Sequence, residues 1–318
     1  MYTNIRKLIN EQFSISDLDF TDDSLIPANI FSKELYDIKK IYNKMLNKEF
    51  VDRDVIDYLN LNIAVYRPKN KSELRKIVVY YSGNYFNDSI NWLDVSKISN
   101  MKNMFRYTAY NGDISKWDVS NVVNMNEMFY DSEFDSDISE WDTSKVNDMS
   151  LMFYNSKFNG NILKWNVSKV TTMTYMFTHS SFNNDISRWD VSSVKDMSFM
   201  FADSPFDSDI SGWDVSNVEN MQYMFNKSPF NQNISRWNVS NVRYMDVMFK
   251  DTNFNQDISK WDVHKVLDMS NMFADTPFYQ DLSNWNTHQR VYYYSIFYNT
   301  PMMTNRQYWP RGFKKIIT

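Results

Sequence analysis

Residues 158–181 read FNGNILKWNVSKVTTMTYMFTHSS, and the same 24-residue phrase, with small edits, is written about nine times between Phe86 and Trp309. Its tryptophans set the period. Trp117, Trp141, Trp165, Trp189, Trp213, Trp237, Trp261, Trp285 and Trp309 stand 24 residues apart, with Trp92 one residue out of step. A spacing that never drifts means that each copy is one structural unit stacked on the next, because an insertion would throw the stacked columns out of line.

Within the phrase, Ile114, Trp117 and Val119 have the spacing L-x-x-L-x-L and recur as Ile186, Trp189, Val191 and Ile234, Trp237, Val239, and Val122 follows where many such repeats carry Asn or Cys. That spacing predicts a short parallel strand with its side chains inward. Met125, Met128 and Phe129 then recur at i, i+3, i+4, which predicts a short helix closing the coil. The expected fold class is an α/β repeat: a leucine-rich-repeat-like solenoid of about nine coils, each a short strand plus a short helix, behind a small, mostly helical N-terminal domain. The row Trp117, Trp141, Trp165, Trp189, Trp213, Trp237, Trp261 and Trp285 is its structural ladder.

Outward from the repeat, residues 1–61 read as a helical domain for capping or attachment. Residues 62–85 read as a strand and a helix that cap the solenoid, the helix N-capped by Ser72 and bearing Leu74, Ile77, Val78 and Tyr81. The solenoid runs over 86–300. The last copy loosens: Arg290 replaces the valine, and 301–318 form a C-terminal cap and tail.

Composition removes several function classes. The net charge is −5, with 13 Lys+Arg against 12 Asp+Glu before Phe86 and 21 against 27 after it, so nucleic acid is not an expected partner. Cysteine is absent, which excludes disulfides and thiolate metal sites. No apolar run is long enough to insert in a membrane, and MYTNIRKLINEQF is not a signal peptide, so a virion-associated or cytoplasmic place is expected over classical secretion.

The string DISKWDVSNV followed by M-x-x-MF, with YRPKNKSELRKIV ahead of it, resembles the BspA-like leucine-rich-repeat surface proteins. That repeat is also common in mycoplasma lipoproteins and in bacteriophage genomes. The resemblance covers about residues 65–310. It implies a solenoid used for adhesion or other protein contact, with no catalytic residue.

Two rows flank the tryptophans. Lys116, Glu140, Lys164, Arg188, Arg236 and Lys260 form one; Asp118, Asp142, Asp190, Asp214 and Asp262 form the other. Either the rows neutralise each other and the acids bond locally, or they form a striped contact surface for a charged protein or glycan. Repeated Asp113, Asp137, Asp185, Asp209 and Asp257 suggest calcium, but five glycines are too few for the wrapped backbone of a calcium β-roll. His264 and His288, also 24 apart, lack a third ligand. No nucleophile elbow, phosphate loop or zinc motif is present, so neither an enzyme nor a cofactor or metal protein is expected. The sequence points to a non-enzymatic scaffold for a protein partner, a host surface or virion protein. The alternatives are a phage-particle component docked through its N-terminal helices and a glycan-binding or glycan-processing protein.

Overall fold

The computed structural model describes residues 67–84, 89–91 and 93–315. The helices expected within 1–61, the strand expected from residue 62 and Trp92 lie outside the described residues.

Helix α1, Lys71–Asn84, precedes the repeats. Its N-cap is Asn70 rather than Ser72: the Asn70 side-chain oxygen accepts the Glu73 N–H at 3.1 Å, and the Glu73 carboxylate reaches back to the Lys69 N–H at 2.5 Å. Leu74, Ile77, Val78 and Tyr81 are buried in the same core as the repeats. One face of α1 thus covers the apolar end of the first coil, the part of a solenoid that would otherwise meet water.

The repeats form a solenoid of nine coils, but the expected strand-plus-helix coil is corrected. Among the described residues a parallel bridge joins each coil to the next, running through Asn100, Asn124, Asp148, Thr172, Asp196, Asn220, Tyr244, Asp268 and Tyr292. The Ile-x-x-Trp segment is no strand: the Trp117 N–H closes a turn onto the Ile114 carbonyl at 3.1 Å. The Met-x-x-Met-Phe segment is no helix either. Met128 N–H bonds to the Met125 carbonyl at 3.1 Å and Tyr130 N–H to the Glu127 carbonyl at 3.3 Å, a run of overlapping turns. Glu127 and Asp131 have φ of 56° and 49°, and the same two positions are left-handed in every coil down to Ser295 and Asn299.

The reason lies between the coils. Alternate amides of each turn run donate to the next coil: Met125 to Asp148, Glu127 to Ser150, Phe129 to Met152 and Asp131 to Tyr154, at 2.7–3.0 Å. These four columns are unbroken across all eight junctions. An isolated two-turn helix is marginal in water. A turn run that lends half of its amides to a neighbour gains a ladder as long as the protein. Asp, Asn or His fills most of the second left-handed position, where such residues are at ease. At the first, Leu151, Phe199 and Val247 accept a cost of about 1–2 kcal/mol each, offset by the ladder.

The interior follows the columns. Phe129, Phe153, Phe177, Phe201, Phe225, Phe249, Phe273 and Phe297 stack at 5.4–5.9 Å between neighbours. Each tryptophan from Trp117 to Trp285 donates its indole N–H to the carbonyl of the Ile column one coil back, as Trp189 does to Ile162 at 3.0 Å. The side-chain ladder missing at Val122 reappears elsewhere. Asn111, Asp135, Asn159, Asn183, Asp207, Asn231 and Asn255 each accept, through a side-chain oxygen, the amide 24 residues on. Trp309 leaves the row: its indole bonds to the Met302 carbonyl in a tail of short 3-10 turns, and Phe313 stacks on Tyr293 at 3.8 Å.

Candidate interaction surface

The turn run and the Ile-x-x-Trp-x-Val corner present the variable side chains. At the corner both charged rows are exposed, but they are not equivalent. Asp118, Asp142, Asp190, Asp214 and Asp262 each accept the backbone N–H two residues on, at 3.0–3.2 Å. Asp137, Asp185, Asp209 and Asp257 do the same at 2.8–2.9 Å. These Asx bonds cap turns. In the other row, Lys164 and Glu140 pair at 2.6 Å with both side chains 69% exposed, a contact that water largely screens. Lys116, Arg188, Arg236 and Lys260 make no direct ion pair among the described residues.

The Asx bonds also set the acid response. The Ser139, Ser187, Ser211 and Ser259 amides, helped by the serine hydroxyls, hold Asp137, Asp185, Asp209 and Asp257 below the ordinary carboxylate value of 3.8. A carboxyl whose folded value is depressed contributes stability above its unfolded value, and that contribution is lost as pH falls through the folded one. Thermal stability is therefore expected to fall below about pH 3.8. Asn161 and Asn233 already accept the same amides without titrating. A variant with asparagine at all four aspartates should match the wild type at pH 7 and exceed it at pH 3, read by thermal unfolding; equal losses in acid would remove the Asx bonds as the cause.

His264 and His288 each turn back on their own coil. His264 Nδ1 lies 2.7 Å from Asp262, and His288 Nδ1 accepts the Arg290 N–H at 3.1 Å. Among the described residues no three His, Asp or Glu side chains converge as a metal site.

One feature of the surface escaped the sequence reading. Tyr107, Tyr130, Tyr154, Tyr175, Phe199 and Tyr223 form an oblique aromatic ribbon across six coils, with successive centroids 4.3–6.4 Å apart. Arg106 lies over the rings of Tyr107 and Tyr130 at 4.7 and 4.6 Å and pairs with Glu127. Within the ribbon Tyr175, Phe199 and Tyr223 are stacked face to face at 4.3–4.4 Å. Those faces are taken by neighbours, so the rings offer edges rather than platforms for a sugar. The signal was legible as aromatics at the first left-handed position of three consecutive copies, but nothing in the sequence says that this position faces outward.

Four overlapping stretches, 72–180, 132–229, 156–253 and 203–309, match the family described as Mycoplasma protein of unknown function, DUF285. The chain belongs to the DUF285 family. No curated protein and no solved structure matches it.

The DUF285 match spans the coils together with most of α1, so the cap helix lies within the matched region. It supports a repeat scaffold and carries no adhesion, virion or glycan role. In this DUF285 chain no helix among the described residues is long and apolar enough to cross a membrane.

Proposed function

We propose that this DUF285 chain is a non-enzymatic scaffold that binds a protein partner along its Ile-x-x-Trp-x-Val corner, and that the partner's contacting surface is acidic. The observation that carries this reading is the asymmetry of the two rows. The aspartates direct an oxygen into their own turns, whereas Lys116, Arg188, Arg236 and Lys260 are exposed and make no direct ion pair among the described residues, Lys116, Arg188 and Lys260 reaching Asp137, Asp185 and Asp257 only by longer-range attraction. At this corner the neighbouring tryptophans stand 6.4–6.5 Å apart, so Arg188 and Arg236, two coils apart, lie roughly 13 Å from each other and can meet separate carboxylates on an opposing surface.

The test is reversal of charge at Lys116, Arg188, Arg236 and Lys260 to glutamate. A partner recovered with the wild-type protein should bind the variant at least about tenfold more weakly, and wild-type binding should weaken with salt, because rim charges act through screened attraction. The unfolding transition should not move. Undiminished affinity in a folded variant would sink the reading.

A further inference from the structure

The turn face carries side chains that neither the backbone nor the core accounts for. Leu151, Tyr175, Phe199 and Tyr223 stand in four successive coils at φ of 56–59°, a left-handed conformation in which asparagine costs less, and asparagine does occupy that column at Asn103 and Asn271. All four side chains are half-exposed rather than part of the core. Large apolar groups held outward at a strained position point to a contact beyond the coil. Tyr130 and Tyr154 lengthen the row at one end, and Tyr244, 41% exposed, stands in the coil after Tyr223 at the other, so that an apolar stripe crosses the coils obliquely.

The two ends of the stripe differ in charge. At the first coil Lys102 and Arg106 share one carboxylate, Glu127, and Arg106 lies over the rings of Tyr107 and Tyr130. Lys71 of α1 adds to this excess of cations: burial first, and then the like charges of Lys102 and Arg75, lower its pKa. At the seventh and eighth coils Asp246 and Asp268 lie together, while the cations of that region are engaged elsewhere, Lys250 with Asp251 and Asp275 and Arg243 with Glu219. Burial and the charge of Asp268 push the half-buried Asp246 carboxyl above its ordinary value, the behaviour of a carboxylate short of a cation. Lys102 and Asp246 occupy the same position of the 24-residue phrase. They therefore stand in one column, six coils and roughly 30 Å apart.

A surface that is basic at one end, acidic at the other and apolar between is complementary to itself turned end for end. We propose that two copies of the chain pair through this stripe, antiparallel about a two-fold axis near Tyr175 and Phe199, with Lys102 and Arg106 of each copy set against Asp246 and Asp268 of the other. Symmetry fixes the register: the rotation that brings one pair of ends together brings the other pair together too, so each charge contact is made twice. At the centre the rings of Tyr175, Phe199 and Tyr223 are already stacked face to face within a copy, so their edges and Leu151 meet across the axis. The Ile-x-x-Trp-x-Val corner lies outside the stripe, and the pairing does not rest on its binding a partner.

Sedimentation velocity of the full chain tests this. The mass should move from 38.2 kDa toward twice that value between roughly 1 and 100 μM. Tyr175→Asn together with Phe199→Asn removes the centre of the stripe while keeping residues that suit the left-handed backbone, and should weaken pairing at least about tenfold. Lys102→Glu and Asp246→Lys, made in separate chains, should each do the same, because like charges then meet at both ends of the stripe. Mixed in equal amounts, these two charge variants should pair with each other about as well as the wild type pairs with itself, since every charge contact is restored in reverse. A wild type that stays at 38.2 kDa throughout overturns the proposal, whether the stripe is bare or covered by another segment of the same chain. A dimer that survives the asparagine variant lies on another face, and charge variants that stay apart in the mixture rule out the antiparallel register; either result also overturns it.

Discussion

Replacing Trp189 by alanine is expected to destabilise the solenoid by about 4–6 kcal/mol. Its side chain is 3% exposed and lies against Phe177 and Trp213, so truncation leaves a cavity that costs about 3–5 kcal/mol. The indole N–H is also a second donor to the Ile162 carbonyl of the coil before it; that carbonyl keeps the Trp165 N–H, so losing the indole adds only about 0.5–1.5 kcal/mol. Because each coil touches only its neighbours, the loss falls on one junction and should uncouple the halves on either side of it. Urea unfolding should change from one transition to two. Trp189→Phe retains much of the ring volume but not the donor, so it should cost clearly less than alanine and leave a single transition. If both substitutions cost the same small amount, the ladder is not what joins the coils.

Arg75→Met is expected to loosen the first coil while leaving the middle of the solenoid intact. The guanidinium caps the Met104 and Arg106 carbonyls from partly buried ground, and burial lowers its own pKa from the ordinary arginine value. Hydrogen bonds from a charged donor contribute about 1.5–3 kcal/mol each, so losing both should cost roughly 3–5 kcal/mol at that end. A lysine is a point charge on a flexible stem and cannot hold two carbonyls at once, so Arg75→Lys should recover less than half of the loss. Exchange of the Met101, Asn103 and Phe105 amides should accelerate in the methionine variant, with Met221 and Tyr223 unchanged. Uniform acceleration along the chain would show that α1 acts as part of one global unit rather than as a local cap.

Both predictions concern features that were partly legible beforehand. The Trp column, the buried Ile, Val, Met and Phe columns and the role of a helix before the first coil follow from period and polarity, because a 24-residue repeat without drift can bury its large side chains only by stacking. The internal conformation of the coil was misread. Met125, Met128 and Phe129 at i, i+3, i+4 share one face in a helix, and they also share one face in overlapping turns with a left-handed residue every fourth position. Side-chain periodicity cannot separate the two. Glycine would have marked the left-handed sites, but Leu151, Tyr175 and Val247 occupy them.

The charged rows were visible as rows. That one of them is committed to Asx bonds and the other is not emerged only from the hydrogen bonds, since an aspartate two residues before a serine is equally compatible with an exposed carboxylate. By itself the sequence determined the repeat unit, its count, the residues of the core and the lack of a basic excess or of cysteine, because these depend on composition and spacing. Only the tertiary structure decided which backbone amides serve their own coil and which serve the next. That choice depends on the neighbour being present. It turned an expected strand and helix into a ladder of turns, gave the ladder a direction, and set Arg75 on the carbonyls at its first coil and Phe313 against Tyr293 at its last.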